Sequence, residues 1–268
     1  MGLINTQRPL IMFVDAGDTL IDVPQFLFYL QTINDNPSLY MSTPPHLEEN
    51  NDGIITVDSA NNRLHGKIYR RSFLEQYNII FNPNYPRSNE DIGFNLTARL
   101  ILEYLFELEQ TPHCLTYDIP IINWRNDANS LTRLNNCAFY YKENSMGLAQ
   151  NTLFAVKIAQ ANNVSFNLIE QLIYRTILGI YNFYYSAKNC RPEFLQDNLN
   201  GAIYMAKYLL PIIECDQEKL IAAWQAEMRN IFGSTDWDPF MLEIPDMNLY
   251  EWLNYVIKEA LKDEYEYI

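Results

Sequence analysis

The chain has 268 residues, of which 48% are apolar and 19% charged, with a formal net charge of −14. That length and composition exclude a disordered or fibrous chain and leave room for one large domain or two smaller ones. With 33 acids against 19 bases, most of the surface would repel a polyanion, so nonspecific nucleic-acid binding is not expected.

In chain order, residues 1–9 are polar and close at Pro9. Leu10 to Val14 (LIMFV) reads as a buried strand, and an all-apolar strand implies a sheet covered on both faces. Asp15, Gly17 and Asp18 follow at once, where α/β sheets bind ligands, just past a strand's carboxyl end. Asp22 precedes a helix over 23–34, with Pro24 in its first turn. Residues 35–63 are rich in Asn, Asp and Pro and read mostly as loop, with a short strand at Ile54 to Val57. A helix is expected to open over 66–70 and run through Gln76. Residues 78–88 return to loop around Pro83 and Pro86. A helix over about 91–109 places Ile92, Leu96, Leu100 and Ile101 at helical spacing, with Glu90 and Asp91 at its N-terminus.

Leu115 to Trp124 reads as a strand passage, and Cys137 to Tyr141 as a short strand on the strength of its aromatics. Beyond Ser145 helical periodicity takes over, in segments near 146–162, 165–187, 198–213, 216–232 and 247–264. Ser165 is the expected N-cap of the second. Asn189 to Pro192 and Gly233 to Pro245 are the breaks. The composition shift defines the expected division, an α/β region over 1–144 and a helical region over 145–268.

The four cysteines at 114, 137, 190 and 215 lack CxxC spacing, and three histidines are too few for an ordinary Cys/His zinc site. They are read as reduced thiols, which suits the cytoplasm of a cell or of an infected host. No basic segment with an apolar stretch and cleavage site opens the chain, and no run approaches the roughly 18 apolar residues of a membrane span. No membrane span is expected. The nearest basic patch, Lys67, Arg70 and Arg71, is small.

Asp15 and Asp18 can hold a divalent cation against a diphosphate, or can simply cap the following turn. Lys67 can pair with phosphate, and His65 can donate to an acceptor or a diphosphate; both also suit a plain loop before a helix. Asp91 and Glu90 can take a proton from an attacking hydroxyl, or serve only as helix N-terminal acids.

Together, LIMFVDAGD (10–18), LHGKIYRRSFL (64–74) and NEDIGF (89–94) resemble the catalytic half of a family 2 glycosyltransferase, which has the GT-A fold. FVDAGDTL is similar to the family's acid motif, D-x-D or D-x-D-D. Asp15 keeps its first acid and Asp18 its last, while Gly17 stands at the middle acidic position. LHGKIYRRSFLEQYNIIF resembles the acceptor-side segment, in which Leu74, Tyr77 and Phe81 look structural. The family's E-D pair contains the base, which by position implies Asp91, with Glu90 second. NWRNDANSLTR (123–133) resembles a later loop that reaches the diphosphate and acceptor, and makes Trp124, Arg125, Ser130 and Arg133 candidate contacts or structural residues.

The resemblance covers residues 2–142 and implies a partial GT-A-like mixed sheet with flanking helices, followed by an all-α region. It implies an inverting transfer of a sugar from a nucleotide-sugar donor to a hydroxyl, with Mg²⁺ or Mn²⁺ at Asp15 and Asp18. In the family a nucleotide-binding βαβαβ half precedes the acid-bearing strand, and Met1-Gly2-Leu3 aligns with the end of that half. The expectation is a complementary N-terminal nucleotide-binding chain, or a homo-oligomer. The alternative is a non-catalytic assembly protein on a truncated transferase fold. In the helical remainder, the run Tyr181 to Tyr185 suits core packing or an oligomer interface better than a sugar-stacking surface.

Overall fold

A computed structural model describes residues 7–15, 18–50, 53–57, 64–86, 88–125, 138–223 and 247–265. They fall into two compact units, one within residues 1–81, 94–135 and 158–164, the other within 82–93, 136–157 and 165–268. The protein is mixed α/β with a helical C-terminal region, as expected.

The first unit holds two small mixed sheets. In one, β1 (Leu10–Met12), β6 (Ile68–Arg70), β3 (Met41–Thr43) and β7 (Cys114–Thr116) stand in the order β1-β6-β3-β7. In the other, β2 (Thr19–Leu20), β8 (Ile122–Arg125), β4 (His46–Asn50) and β5 (Gly53–Val57) stand in the order β2-β8-β4-β5. β6 is antiparallel to β1 and β3, and β3 is parallel to β7, so β1, β3 and β7 run the same way. After its carboxyl end each of these three continues into a strand of the second sheet. Between β3 and β4 the break is Pro44-Pro45. Proline has no N–H to donate, so the ladder must stop and the chain can bend.

Residues 35–63 were expected to be mostly loop, yet β3 and β4 lie there. β3 has three residues, all buried, so it shows no alternation. β4 (HLEEN) is polar in sequence and is held by pairing to β5 and β8. Residues 66–70, expected to open a helix, do not. Gly66 has φ +72°, and the Lys67 N–H donates to the Leu64 carbonyl at 3.1 Å, a tight turn that only glycine occupies cheaply. Ile68 and Tyr69 then pair on both sides as β6, wholly buried, and α2 (Arg71–Gln76) starts only afterwards. Strand pairing outweighs the local helical pattern. The expected strand to Val14 stops at Met12, and Val14 is exposed. The passage 115–124 is two strands, parted at Asp118 to Pro120.

α1 (Val23–Asp35) matches expectation at both ends. The Asp22 carboxylate accepts from the Gln25 N–H at 2.9 Å, and Pro24 sits in the first turn. Its last turn has no basic residue, and Arg70 of β6 supplies the charge. The guanidinium donates to the Ile33 carbonyl, to Asn36 O at 3.0 Å and to Leu39 O at 2.9 Å. Tyr29 and Ile33 pack with Leu39, Ile68 and Ile121, and Tyr29 stacks on Tyr117. Burying each such side chain contributes about 1.5–3 kcal/mol. Phe13, Tyr69, Phe81 and Phe94 form a second cluster, with Phe81 and Phe94 stacked at 4.6 Å. The basic patch read from sequence is taken up internally. Arg70 caps α1, Arg71 bonds Arg8 O and Glu75, and Lys67 is wholly buried.

α3 (Glu90–Glu109) contributes its first turn to the second unit and Phe94 onward to the first. Residues 138–141, expected as strand, open the 24-residue helix α4 (Ala138–Ala161), while Cys137 lies outside the described residues. β-propensity measures fit to a pleated surface, and a long helix overrides three aromatics. α5 (Phe166–Cys190), α6 (Leu195–Tyr208) and α7 (Leu249–Tyr265) follow. Ser165 stands at the N-cap of α5, but its side chain makes no cap hydrogen bond. The helix expected over 198–213 begins at Leu195 and ends at Tyr208, before a 3₁₀ turn containing Pro211. Cys114, Cys190 and Cys215 are free thiols. Among the described residues no helix is long and apolar enough to cross a membrane.

The tyrosine run of α5 packs rather than displays. Tyr181, Tyr184 and Tyr185 are buried around Trp252, and Tyr181 and Tyr185 donate to the Met247 carbonyl at 3.3 and 2.8 Å. Burial pushes the Tyr181 phenol up to about 12, and raises Tyr184 for the same reason. The folded state therefore holds these protons more tightly than the unfolded chain. Their stabilising effect is complete below pH 10, the ordinary tyrosine value, and is lost as pH rises from there to about 12. Thermal unfolding scanned between these values should show a falling midpoint that Tyr181→Phe flattens. An equal fall in that variant would remove Tyr181 as its source.

Candidate functional site

The carboxyl ends of β1 and β3 and the amino end of β6 meet where the two sheets part. Acids and turn residues concentrate there. Asp15 follows β1, and Asp18 immediately precedes β2. The two are bonded to each other, with the Asp18 N–H donating to Asp15 O at 3.1 Å and the Asp15 N–H to Asp18 Oδ2 at 3.4 Å. Turn capping, read from the sequence as the alternative role, is thus present. It does not exhaust these acids, because His65 joins them. Its Nδ1 lies 3.5 Å from Asp18 Oδ2.

His65 is presented by the Gly66 turn, which rests near Pro44. A Cβ at Gly66 would lie 3.6 Å from Pro44 Cγ. The His65 ring stacks on Trp124 of β8, with centroids 5.1 Å apart and planes at 27°. The ring of His46 lies against it at 5.2 Å. His46 is wholly buried, and its Nε2 meets Glu48 Oε1 at 3.3 Å. Glu48 is in turn the register partner of Trp124 across the parallel β4–β8 pair. The order Glu48, His46, His65, Asp18 is therefore a continuous polar and aromatic row.

Asp15, Asp18 and His65 each offer a ligand atom within 4.8 Å of the other two. Two ligands bound to one ion at 2.0–2.6 Å can be no more than about 5 Å apart, so this set fits a single divalent cation. Asp15 is exposed, while the Asp18 side chain keeps 2% of its accessibility. The cluster thus has one wet carboxylate and one sequestered carboxylate.

Of the residues singled out in the sequence, Asp15, Asp18, His65 and Trp124 come together. Lys67 is buried in the same unit, where its charge acts on Cys114. Burial pushes the Cys114 thiol up, against the lowering effects of the Thr43 hydrogen bond, Arg99 and Lys67, a direction that disfavours the reactive thiolate. Arg125 ends β8 by its backbone. Ser130 and Arg133 lie outside the described residues. His46 and Glu48 were missed. Their signal was the two-residue spacing that puts both on one face of a strand, in a segment read as loop.

Glu90 and Asp91 open α3 within the second unit, both half-buried. Their turn is clamped to α4. The Asn151 amide donates to Ser88 O at 2.8 Å, and the Asn89 amide to Asn144 O at 3.0 Å. Asn89 holds φ +55°, and Gly147 allows α4 to touch Ser88, since a Cβ there would meet Ser88 O at 2.5 Å. Such fixed backbone suits an acid whose direction matters.

Comparison with protein-family models gives no match, and comparison with curated proteins gives none either.

Proposed function

We propose that this chain carries the metal and acceptor side of an inverting glycosyltransferase that uses a nucleotide-sugar donor. The observation that carries the reading is the Asp15–Asp18–His65 cluster beside Trp124, at the carboxyl ends of β1 and β3. The resemblance of the segments around these residues to family 2 glycosyltransferases supports the same reading.

In this reading Asp15 and Asp18 would hold a divalent cation, Mg²⁺ or Mn²⁺, whose charge would offset that of the donor's diphosphate. Trp124 presents an aromatic face of the kind on which a sugar ring stacks. Asp91 removes the proton of the acceptor hydroxyl as its oxygen bonds to the anomeric carbon. The bond from that carbon to the diphosphate breaks on the opposite side, and the nucleoside diphosphate leaves with the electron pair. Glu90 is second to Asp91 for the base role. A carboxylate at a helix N-terminus is a weak base, so placement must supply much of the rate. A complementary nucleotide-binding chain, or a homo-oligomer, would complete the donor site, and the reaction would belong to the cytoplasm.

The test is purification of the native complex from its source, followed by a donor screen for nucleoside diphosphate release. Release from one sugar nucleotide, with inverted product, supports the proposal. Assembly only with copies of itself, with no release from any donor, favours the assembly reading. The exposed apolar residues of α1, Val23, Leu27 and Phe28, are what would serve association in that case.

A further inference from the structure

We infer that the exposed face of α1 is a docking surface for a basic amphipathic helix of a different protein. This assignment needs no transfer activity and no metal.

A helix packed on one side of a domain normally turns polar residues outward. α1 does not. Tyr29 and Ile33 are buried in the core. The exposed stripe is Val23, Pro24, Leu27, Phe28 and Gln31, all apolar but the last. These positions fall at i, i+1, i+4, i+5 and i+8, the spacing of one helix face. Val23, Leu27 and Phe28 keep 51%, 55% and 57% of their accessibility. Two further apolar side chains are exposed beside them. Ile21 precedes the helix, and Ile119 is tied to it, because its carbonyl accepts from the Tyr29 hydroxyl at 3.0 Å. Single exposed apolar residues are ordinary, whereas a contiguous apolar patch of this kind marks an interaction site. A helix that is apolar on both sides is one that is covered on both sides.

The charges around this face give the chemistry of the partner. The segments that build it, 19–35 and 117–122, contain Asp22, Asp35 and Asp118 and no Lys or Arg. Burial raises the Tyr29 phenol, hydrogen bonds with Gln25 and Ile119 oppose that rise, and the charges of Asp118 and Asp22 add to it. Both carboxylates therefore stand close to this one ring. Neither forms an ion pair among the described residues. Arg70 is at the other end of α1, where it donates to the Ile33 and Asn36 carbonyls. Val23 and Ile33 are about 15 Å apart along the axis, so Arg70 does not neutralise the acids of the first turn.

An apolar strip with an acidic rim is complementary to apolar side chains flanked by Lys or Arg. An amphipathic helix presents both at once, with anchors at i, i+3 or i+4, and i+7. A second copy of this chain does not fit. Two-fold pairing sets a patch against itself, which brings Asp22 and Asp118 against the same acids in a chain of net charge −14. An anionic membrane surface is repelled for the same reason.

Two synthetic helical peptides test this. They share one leucine face and differ only in carrying lysine or glutamate on its flanks. Their binding to the full chain is followed by fluorescence anisotropy across a range of salt. The lysine peptide is expected to bind at least about tenfold more tightly, by a margin that shrinks as salt rises. Leu27→Ser and Phe28→Ser should each weaken it by about tenfold or more, the effect of removing an apolar anchor. Phe106→Ser, which removes a similarly exposed apolar side chain from α3, should leave it unchanged. Asp118→Asn should weaken it several-fold and flatten the salt dependence. Asp22 is left in place because it caps α1. Equal binding of the two peptides, binding of neither, or a loss in Phe106→Ser matching that in Phe28→Ser overturns the inference. Sedimentation that shows self-association of the chain, lost in Phe28→Ser, overturns it in favour of a second copy. Sugar transfer enters none of these readouts, so the transferase reading and this one can fail separately.

Discussion

Replacing Asp91 with asparagine is expected to lower sugar transfer by about 10²–10⁴-fold, the usual contribution of a positioned general base. The substitution keeps size and shape and removes only the proton-accepting charge. Asp91 lies in the first turn of α3, so that charge also favours the helix dipole. The dipole contribution is about 0.3–1 kcal/mol, too small to unfold the unit and far too small to explain the rate loss. Unfolding temperature should therefore stay near wild type while transfer falls. Glu90→Gln, one residue away, serves as the matched control for helix charge and should cost much less transfer. Full turnover by Asp91→Asn would remove the base assignment.

Gly201→Ala is expected to produce the largest loss of stability among single-methyl changes. A Cβ at Gly201 of α6 would stand 2.4 Å from Met146 N and 2.6 Å from the Ser145 side chain. The nearest of these atoms is backbone in the middle of α4, and it cannot swing aside as a side-chain tip can. α6 and α4 must part, and with them the bond from Ser145 Oγ to Asn198 Oδ1 at 2.6 Å. Overpacking of this kind costs about 3 kcal/mol at the upper end of its usual range. In a unit of this size that corresponds to a midpoint lower by about 6–12 °C. Circular dichroism melting measures it directly. A midpoint within a degree of wild type would mean that the close approach of the two helices is wrong.

The parts of this fold that were legible in the sequence are those set by local chemistry. Asp22 and Pro24 mark the start of α1, and Glu90 and Asp91 mark that of α3, because caps and first turns use particular side chains. β3 and β4 were not legible. Three buried residues show no alternation, and a polar strand such as HLEEN is made by its neighbours. β6 reads locally as helix, and only pairing to β1 and β3 makes it a strand. The same division holds at the site. Asp15 and Asp18 announce themselves by following an apolar run, and His65 by its glycine turn. That the imidazole reaches Asp18, and that His46 and Glu48 stand behind it, depends on the placement of β4 after the break at Pro44-Pro45, which no local pattern in this sequence reported. Trp124 was selected as a contact through the resemblance, whereas its stacking on His65 follows from the β4–β8 register.

In the proposed function, Asp15 and its neighbours bind the cation that serves a sugar-nucleotide diphosphate. The most direct measurement is nucleoside diphosphate release by the native complex, with and without Mn²⁺, for the wild type and for Asp15→Ala. Asp15 is exposed, so its truncation should leave the fold intact. Release that requires Mn²⁺ in the wild type, and that needs at least about tenfold more Mn²⁺ in Asp15→Ala, no less than the loss of a residue that merely supports a ligand costs, is the predicted result. Equal release by both proteins, unchanged by removing the metal, would contradict it.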